Sequence, residues 1–187
     1  MRISQPKDFL TQTANALQEA RDARSFLLTF PVLLQKNFPC ARCILYYKEA
    51  EGNVFRPYDS AGRKSGLPLI GEEASLIESF TSRSEFLLAA ANNRMYFDLF
   101  DRDSEGFFTT NSLNLIVPLH ARRYFRGLLL AAVDATDGKM VSALAEAAQT
   151  AALMFIPQIE AEQMEYENDK NYYRLFKFDR LVLLGQM

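Results

Sequence analysis

One histidine and two cysteines are all that 187 residues offer of the softer metal ligands. A structural zinc site takes four such ligands. The single Cys40-x-x-Cys43 pair, with His120 far along the chain, does not assemble a set. A basic surplus is missing as well: 21 lysines and arginines stand against 23 acids, a net charge of -2. That balance lacks the electrostatic footprint of a nucleic-acid binder, and there is no acidic tail of the disordered-activator kind. Apolar runs such as 128–133 are far too short to cross a bilayer, and the first seven residues lack the apolar core of a signal peptide. The expectation is a cytoplasmic protein without a membrane span, its thiols reduced. No P-loop, no Gly-x-Ser-x-Gly and no paired His–Cys arrangement occurs, so neither a catalytic residue nor a cofactor is expected in this stretch.

What is present is enough apolar content, 49%, to build a core. The length suits one domain with an appended element. Residues 7–23 place Phe9, Leu10, Ala14, Leu17 and Ala20 at near-helical spacing. A second helix is expected over 24–38, kinked or restarted at Pro31. Residues 43–48 and 54–58 are rich in aromatic and β-branched side chains, and Glu51-Gly52-Asn53 between them is turn chemistry, so they predict a hairpin. A Gly-rich connection over 60–68 leads to a helix over 72–82. Residues 85–91 suit strand and helix equally, and 92–110 are polar, aromatic and irregular, with a helical turn expected at 96–100. Two strands then stand out, 112–120 and 127–135. Their near-continuous apolar character predicts that both faces of the sheet are covered. From Lys139 one long helical region runs past Pro157, which should kink or interrupt it. Met164, Asn168, Asn171, Leu175, Phe178 and Val182 follow at alternating spacings of four and three, a heptad seam with a polar middle. Its apolar end needs a partner, and a parallel homodimer is the simplest one. The fold class is therefore α+β: an antiparallel sheet with helices on both faces and a long C-terminal helix.

This order resembles the GAF family of small-molecule sensor domains. The helix running straight into Cys43-Ile44-Leu45-Tyr46-Tyr47 carries part of the likeness. Ser112-Leu113-Asn114-Leu115-Ile116-Val117-Pro118-Leu119 is similar to that family's penultimate strand, which typically ends in Val-Pro-Leu. Gly127-Leu128-Leu129-Leu130 looks like the opening of its last strand, and the Ala-rich helix over 141–154 like its closing helix. The resemblance implies a sensor domain over 1–157 and a signalling helix over 158–187. It also implies that Arg94, Tyr96, Phe97 and Phe100 cover a ligand pocket, joined by Asn114 and Ile116; the alternative is a lid whose aromatics only fill the core. The Asn-Lys-x-Phe-Asp-Glu pattern of cyclic-nucleotide GAF domains is absent.

A second resemblance lies at the end. Asp179-Arg180-Leu181-Val182-Leu183-Leu184-Gly185-Gln186-Met187 looks like the start of the dimerisation helix of sensor histidine kinases. It implies a phosphoacceptor histidine one or two turns beyond Met187, a chain that is the N-terminal part of a two-component kinase, and a response regulator as downstream partner. The alternatives are a GAF module that only dimerises, without ligand, and a Cys-based methionine sulfoxide reductase on the same fold.

Three smaller constellations have plainer readings beside the sharp ones. Cys40 and Cys43 suit a redox pair, or simply buried packing at a helix–strand junction, which is the commoner fate of free cysteines. Asp101-Arg102-Asp103-Ser104-Glu105-Gly106 imitates half a calcium loop, but Ser112 stands where the bidentate Glu belongs, so no metal is expected. His120 suits a pH sensor or a haem ligand, and Arg122, Arg123 and Arg126 a phosphate site, but a strand-end histidine and a solvated hairpin tip are the commoner readings.

Overall fold

A computed structural model describes residues 6–22, 24–48, 53–61, 67–88, 112–121 and 124–184, with side chains for those lying within 8–171. Among the described residues four helices and six strands follow in order: α1 (Pro6–Glu19), α2 (Phe26–Asn37), β1 (Cys40–Lys48), β2 (Val54–Asp59), β3 (Ile70–Gly71), α3 (Ser75–Thr81), β4 (Leu87–Leu88), β5 (Leu115–Ala121), β6 (Tyr124–Val133) and α4 (Gly138–Leu184). The strands form one antiparallel sheet in the order β3-β2-β1-β6-β5-β4.

The continuous apolar runs of β5 and β6 reflect two buried faces. Leu115, Val117, Leu119, Leu129 and Ala131 face a core shared with α1, α2 and α4. Ile116, Leu128, Leu130, Ile44 and Tyr46 face Leu76, Ile77 and Phe80 of α3. One-residue alternation thus serves two separate cores. Pro118 is accommodated in β5 because, among the described residues, β4 pairs only with Leu115 and Ile116 and no ladder on that side takes an N–H from Pro118.

Gly127 sits where β6 passes tightly against β1. It pairs with Tyr47, and a Cβ added to it would lie 2.4 Å from the backbone oxygen of Tyr46. A backbone oxygen in a central ladder does not swing aside. Gly127→Ala should therefore lower stability by about 1–3 kcal/mol, the cost of overpacking. A urea midpoint unchanged from that of the parent would refute it.

The helices differ from the sequence reading chiefly at their ends and at proline. α1 stops at Glu19, and α2 starts at Phe26 and runs through Pro31 without restarting. Pro31 is buried against the core, and packing there outweighs the roughly 3 kcal/mol penalty of an interior proline. α4 likewise continues through Pro157. The carbonyl that loses its usual donor there belongs to Leu153, which is 59% exposed, so solvent is at hand to satisfy it. Within the ambiguous 85–91 region the described residues 87–88 form the two-residue strand β4, and β1 begins three residues before the predicted 43.

α4 buries Met140, Val141, Leu144, Ala145, Ala147, Ala148, Ala151, Ala152, Phe155, Ile156 and Ile159, the stripe that holds it on the sheet. Contrary to the expectation from the sequence, one helical stretch, 138–171, is long enough and contains a window apolar enough to cross a membrane by length and composition; 56% of that window is buried inside the protein. Beyond Glu160 the side chains through Asn171 are exposed or partly so, and the helix projects by about 36 Å to Leu184 at 1.5 Å per residue.

Candidate functional site

On the α3 face, the end of β1, the start of β2, the start of β6 and α3 line an open cavity of about 250 Å³, below the usual range of about 300–1,000 Å³ for small-molecule sites. Its apolar wall is Phe55, Ile77 and Phe125, the two rings lying 5.5 Å apart. Its polar groups are Lys48, Glu72, Thr81, Tyr124 and Arg126. Lys48 is ion-paired to Glu72 across the mouth. The Thr81 hydroxyl donates to the Ile77 carbonyl at 2.9 Å, within its own helix.

A register shift in β6 gives Arg126 a second role. Leu119 pairs with Gly127 and His120 with Phe125, so Arg126 is an extra residue in the ladder. Phe125 and Leu128, three apart, consequently pack on the same α3 face. Arg126 turns toward α4, where its Nε lies 2.5 Å from Glu160 Oε1. Both atoms are sealed from solvent, and the contact is one of charge without hydrogen-bond alignment. Arg126 therefore lines the α3-face cavity and also a second cavity of about 280 Å³ shared with Tyr47, Lys48, Glu160, Gln163 and Met164.

Two tyrosines flank this region from opposite faces. Burial, reinforced by the Asp59 charge, raises the Tyr46 phenol above its usual 10.0, and the phenol donates to the Pro68 carbonyl at 3.2 Å. Burial and then Glu160 do the same to Tyr47. Both stay protonated in the fold at pH values where the unfolded chain has begun to lose their protons. The unfolded state then binds fewer protons, so stability falls as pH rises past 10. The expected slope is up to about 1.4 kcal/mol per pH unit per tyrosine, with none of this loss below about pH 9. Denaturation series between pH 8 and 11 on Tyr46→Phe and Tyr47→Phe would show each slope reduced; equal slopes in parent and variants would count against the assignment.

Of the residues that the family resemblance implied for ligand binding, Arg94, Tyr96, Phe97 and Phe100 lie outside the described residues, as do the 96–100 turn and the 101–106 loop. Asn114 is partly buried and its carboxamide is engaged: Nδ2 donates to the Val133 carbonyl at 2.8 Å, and the Val133 N–H donates to Oδ1 at 2.9 Å. The side chain thus extends the β5–β6 ladder by one rung. Ile116 is fully buried in the α3-face core. Lys48, Glu72 and Thr81 were missed because nothing in their local sequence marks them; only the sheet register brings them together. Met164 and the side chains of Asn168 and Asn171 are exposed on the projecting part of α4, while those of Leu175, Phe178 and Val182 are not described. His120 is half-buried, its ring 5.5 Å from that of Phe125. Among the described residues no three His, Cys, Asp or Glu side chains cluster as metal ligands.

No family model matches the chain. No curated protein sequence is detectably similar to it. Solved structures are similar in shape. The GAF domain of a phosphoenolpyruvate-protein phosphotransferase from Coxiella burnetii superposes with a TM-score of 0.65 at 13% identity, covering 89% of this chain and 99% of that one. The phycoerythrobilin-bound GAF domain of a cyanobacterial phytochrome gives 0.61 at 9% identity, over 87% and 100%. The GAF domain of an Acinetobacter phosphoenolpyruvate-protein phosphotransferase gives 0.59 at 15%, over 82% and 93%. At such identities the likeness is one of architecture, and the architecture of this chain, a six-stranded antiparallel sheet between helices with a long closing helix, is the GAF-domain fold.

Proposed function

We propose that the chain is a cytoplasmic sensory and dimerisation module that passes a small-molecule signal through α4 to a histidine-kinase core. One observation carries this reading: Arg126 lines the α3-face cavity and is ion-paired to Glu160, at the place where α4 leaves the sheet. A small anion bound beside Lys48 and Arg126 would compete with Glu160 for the guanidinium. The ligand would thereby favour one of two settings of the projecting helix, which is what differential affinity for two states requires. The cavity volume suits a ligand of few atoms.

On the projecting helix, the seam from Met164 to Val182 supplies the dimer contact. Asn168 and Asn171 within it set register at some cost in stability. The stretch 179–187, similar to the start of a kinase dimerisation helix, then leads to a phosphoacceptor histidine, with a response regulator as the next partner.

The test is a thermal-shift screen against small carboxylates and phosphates, since a ligand bound only by the folded state raises the melting temperature by mass action. A hit lost in Lys48→Ala supports the reading. No shift across the panel leaves a module that dimerises without ligand. The kinase reading is checked separately, by incubating the full-length protein with labelled ATP; absence of acid-labile, base-stable phosphate would end it.

A further inference from the structure

We propose that Cys40 and Cys43 form a hydroperoxide-reactive dithiol site that closes to an intrachain disulfide. On a regular strand, residues three apart point to opposite faces. Here the ladder shifts register: Cys40 pairs with Val133 and Arg42 with Ala132, so Ala41 is an extra residue. The bulge turns both thiols to the helical face of the sheet, in one core cluster with their sulfurs 3.3 Å apart. A C-x-x-C spacing that would separate the sulfurs on a straight strand thus brings them into contact.

The two thiols are not equivalent. Cys40 opens the strand at the end of the α2–β1 connection and is 9% exposed; Cys43 is fully buried. The Cys43 thiol hydrogen-bonds Cys40 and holds the Cys40 thiol below its usual value, while that same contact and burial push Cys43 up. Cys40, the less buried thiol and the more readily ionised of the two, is therefore the one that meets the oxidant, and Cys43 the partner that resolves it. The Cys43 backbone is anchored, its N–H donating to Ser60 Oγ at 3.1 Å and its carbonyl accepting from the Ser60 N–H at 3.0 Å. Shortening the sulfur contact from 3.3 Å to a bond of about 2.05 Å thus falls to Cys40 and the bulge.

The chemistry balances with a hydroperoxide as oxidant. The Cys40 thiolate attacks the terminal peroxide oxygen; the S–O bond forms, the O–O bond breaks, and the leaving alkoxide or hydroxide takes a proton from solvent. The Cys43 sulfur then attacks the Cys40 sulfenic acid. The S–S bond forms and the S–O bond breaks, and the departing hydroxide leaves as water with the Cys43 proton. Two electrons pass from the sulfur pair to the peroxide.

The experiment uses the reduced native chain and hydrogen peroxide, followed by alkylation of remaining thiols and mass mapping. Trypsin cuts after Lys36, Arg42 and Lys48, so the two cysteines fall on separate peptides, 37–42 and 43–48, held together only by the disulfide. The expected result is that linked pair, with a loss of two hydrogens from the intact monomer. In Cys43→Ser the reaction should stop at a sulfenic acid on Cys40, captured by a cyclic dione. In Cys40→Ser, Cys43 should remain unlabelled. Full alkylation of both cysteines after peroxide, or a bond between two chains in place of the internal one, overturns the proposal. The mapping of the unsubstituted chain decides this even if either variant fails to fold.

Discussion

Phe155→Ala should lower stability by about 3–5 kcal/mol, the cost of deleting a fully buried aromatic ring. Phe155 is completely buried on α4, its ring centroid 4.9 Å from that of Phe30 and 5.4 Å from that of Phe26. Phe30 in turn lies 6.4 Å from Phe9 of α1, and Phe9 lies 5.4 Å from Phe38. One ring on α4 thus closes an aromatic chain that joins three helices. Removing it leaves a cavity that rigid neighbours on α2 cannot fill. For a domain of this size the melting temperature should drop by about 6–20 °C. Leu153→Ala is the internal control: two residues away on the same helix and mostly exposed, it should change stability by no more than about 0.5 kcal/mol. Similar losses in both variants would mean that α4 is not held by its buried stripe.

The long helix that carries that stripe was readable in the sequence, and so were β5 and β6, whose apolar segments with two buried faces leave little room for another reading. What could not be read were single-residue events in the ladder. The extra residues at Ala41 and Arg126 carry no local signature, yet each reverses which face its neighbours meet. One brings Cys40 beside Cys43. The other frees Arg126 to reach Glu160 while Phe125 stays on the α3 face. The early start of β1 escaped notice for a related reason: Cys-Ala-Arg has no strong strand preference, and it is pairing with the end of β6 that makes it a strand. Asn114 shows the same limit at a candidate site. In sequence it is a polar residue in an apolar strand and invites a ligand; in the fold its carboxamide meets both polar groups of Val133. Lys48 and Glu72 are 24 positions apart, and only the β1–β2–β3 register makes them the mouth of a cavity.

Asp59→Ala is the second large effect, and it tests whether the far edge of the α3 face depends on charge. Asp59 closes β2, and its side chain is 2% exposed and ion-paired to Arg42. Arg42 Nε donates to Oδ1 at 3.3 Å, and the same oxygen accepts the Ala61 N–H at 3.0 Å. Truncating the carboxylate leaves a guanidinium short of its partner and a backbone N–H without its acceptor. Breaking a buried pair costs about 3–5 kcal/mol. Arg42 keeps 24% of its side chain in contact with solvent, so water recovers part of that, and the expected loss is about 3 kcal/mol, the low end of that range. Asp59→Asn keeps an acceptor for Ala61 and loses the charge, and should fall between parent and alanine. A double-mutant cycle with Arg42→Ala separates the pair from the turn. If the two single losses add, the ion pair contributes nothing and Asp59 acts only on Ala61. A coupling of about 1 kcal/mol or more places the pair itself among the forces that seat β1 against β2, next to the strand end that carries Cys40 and Cys43.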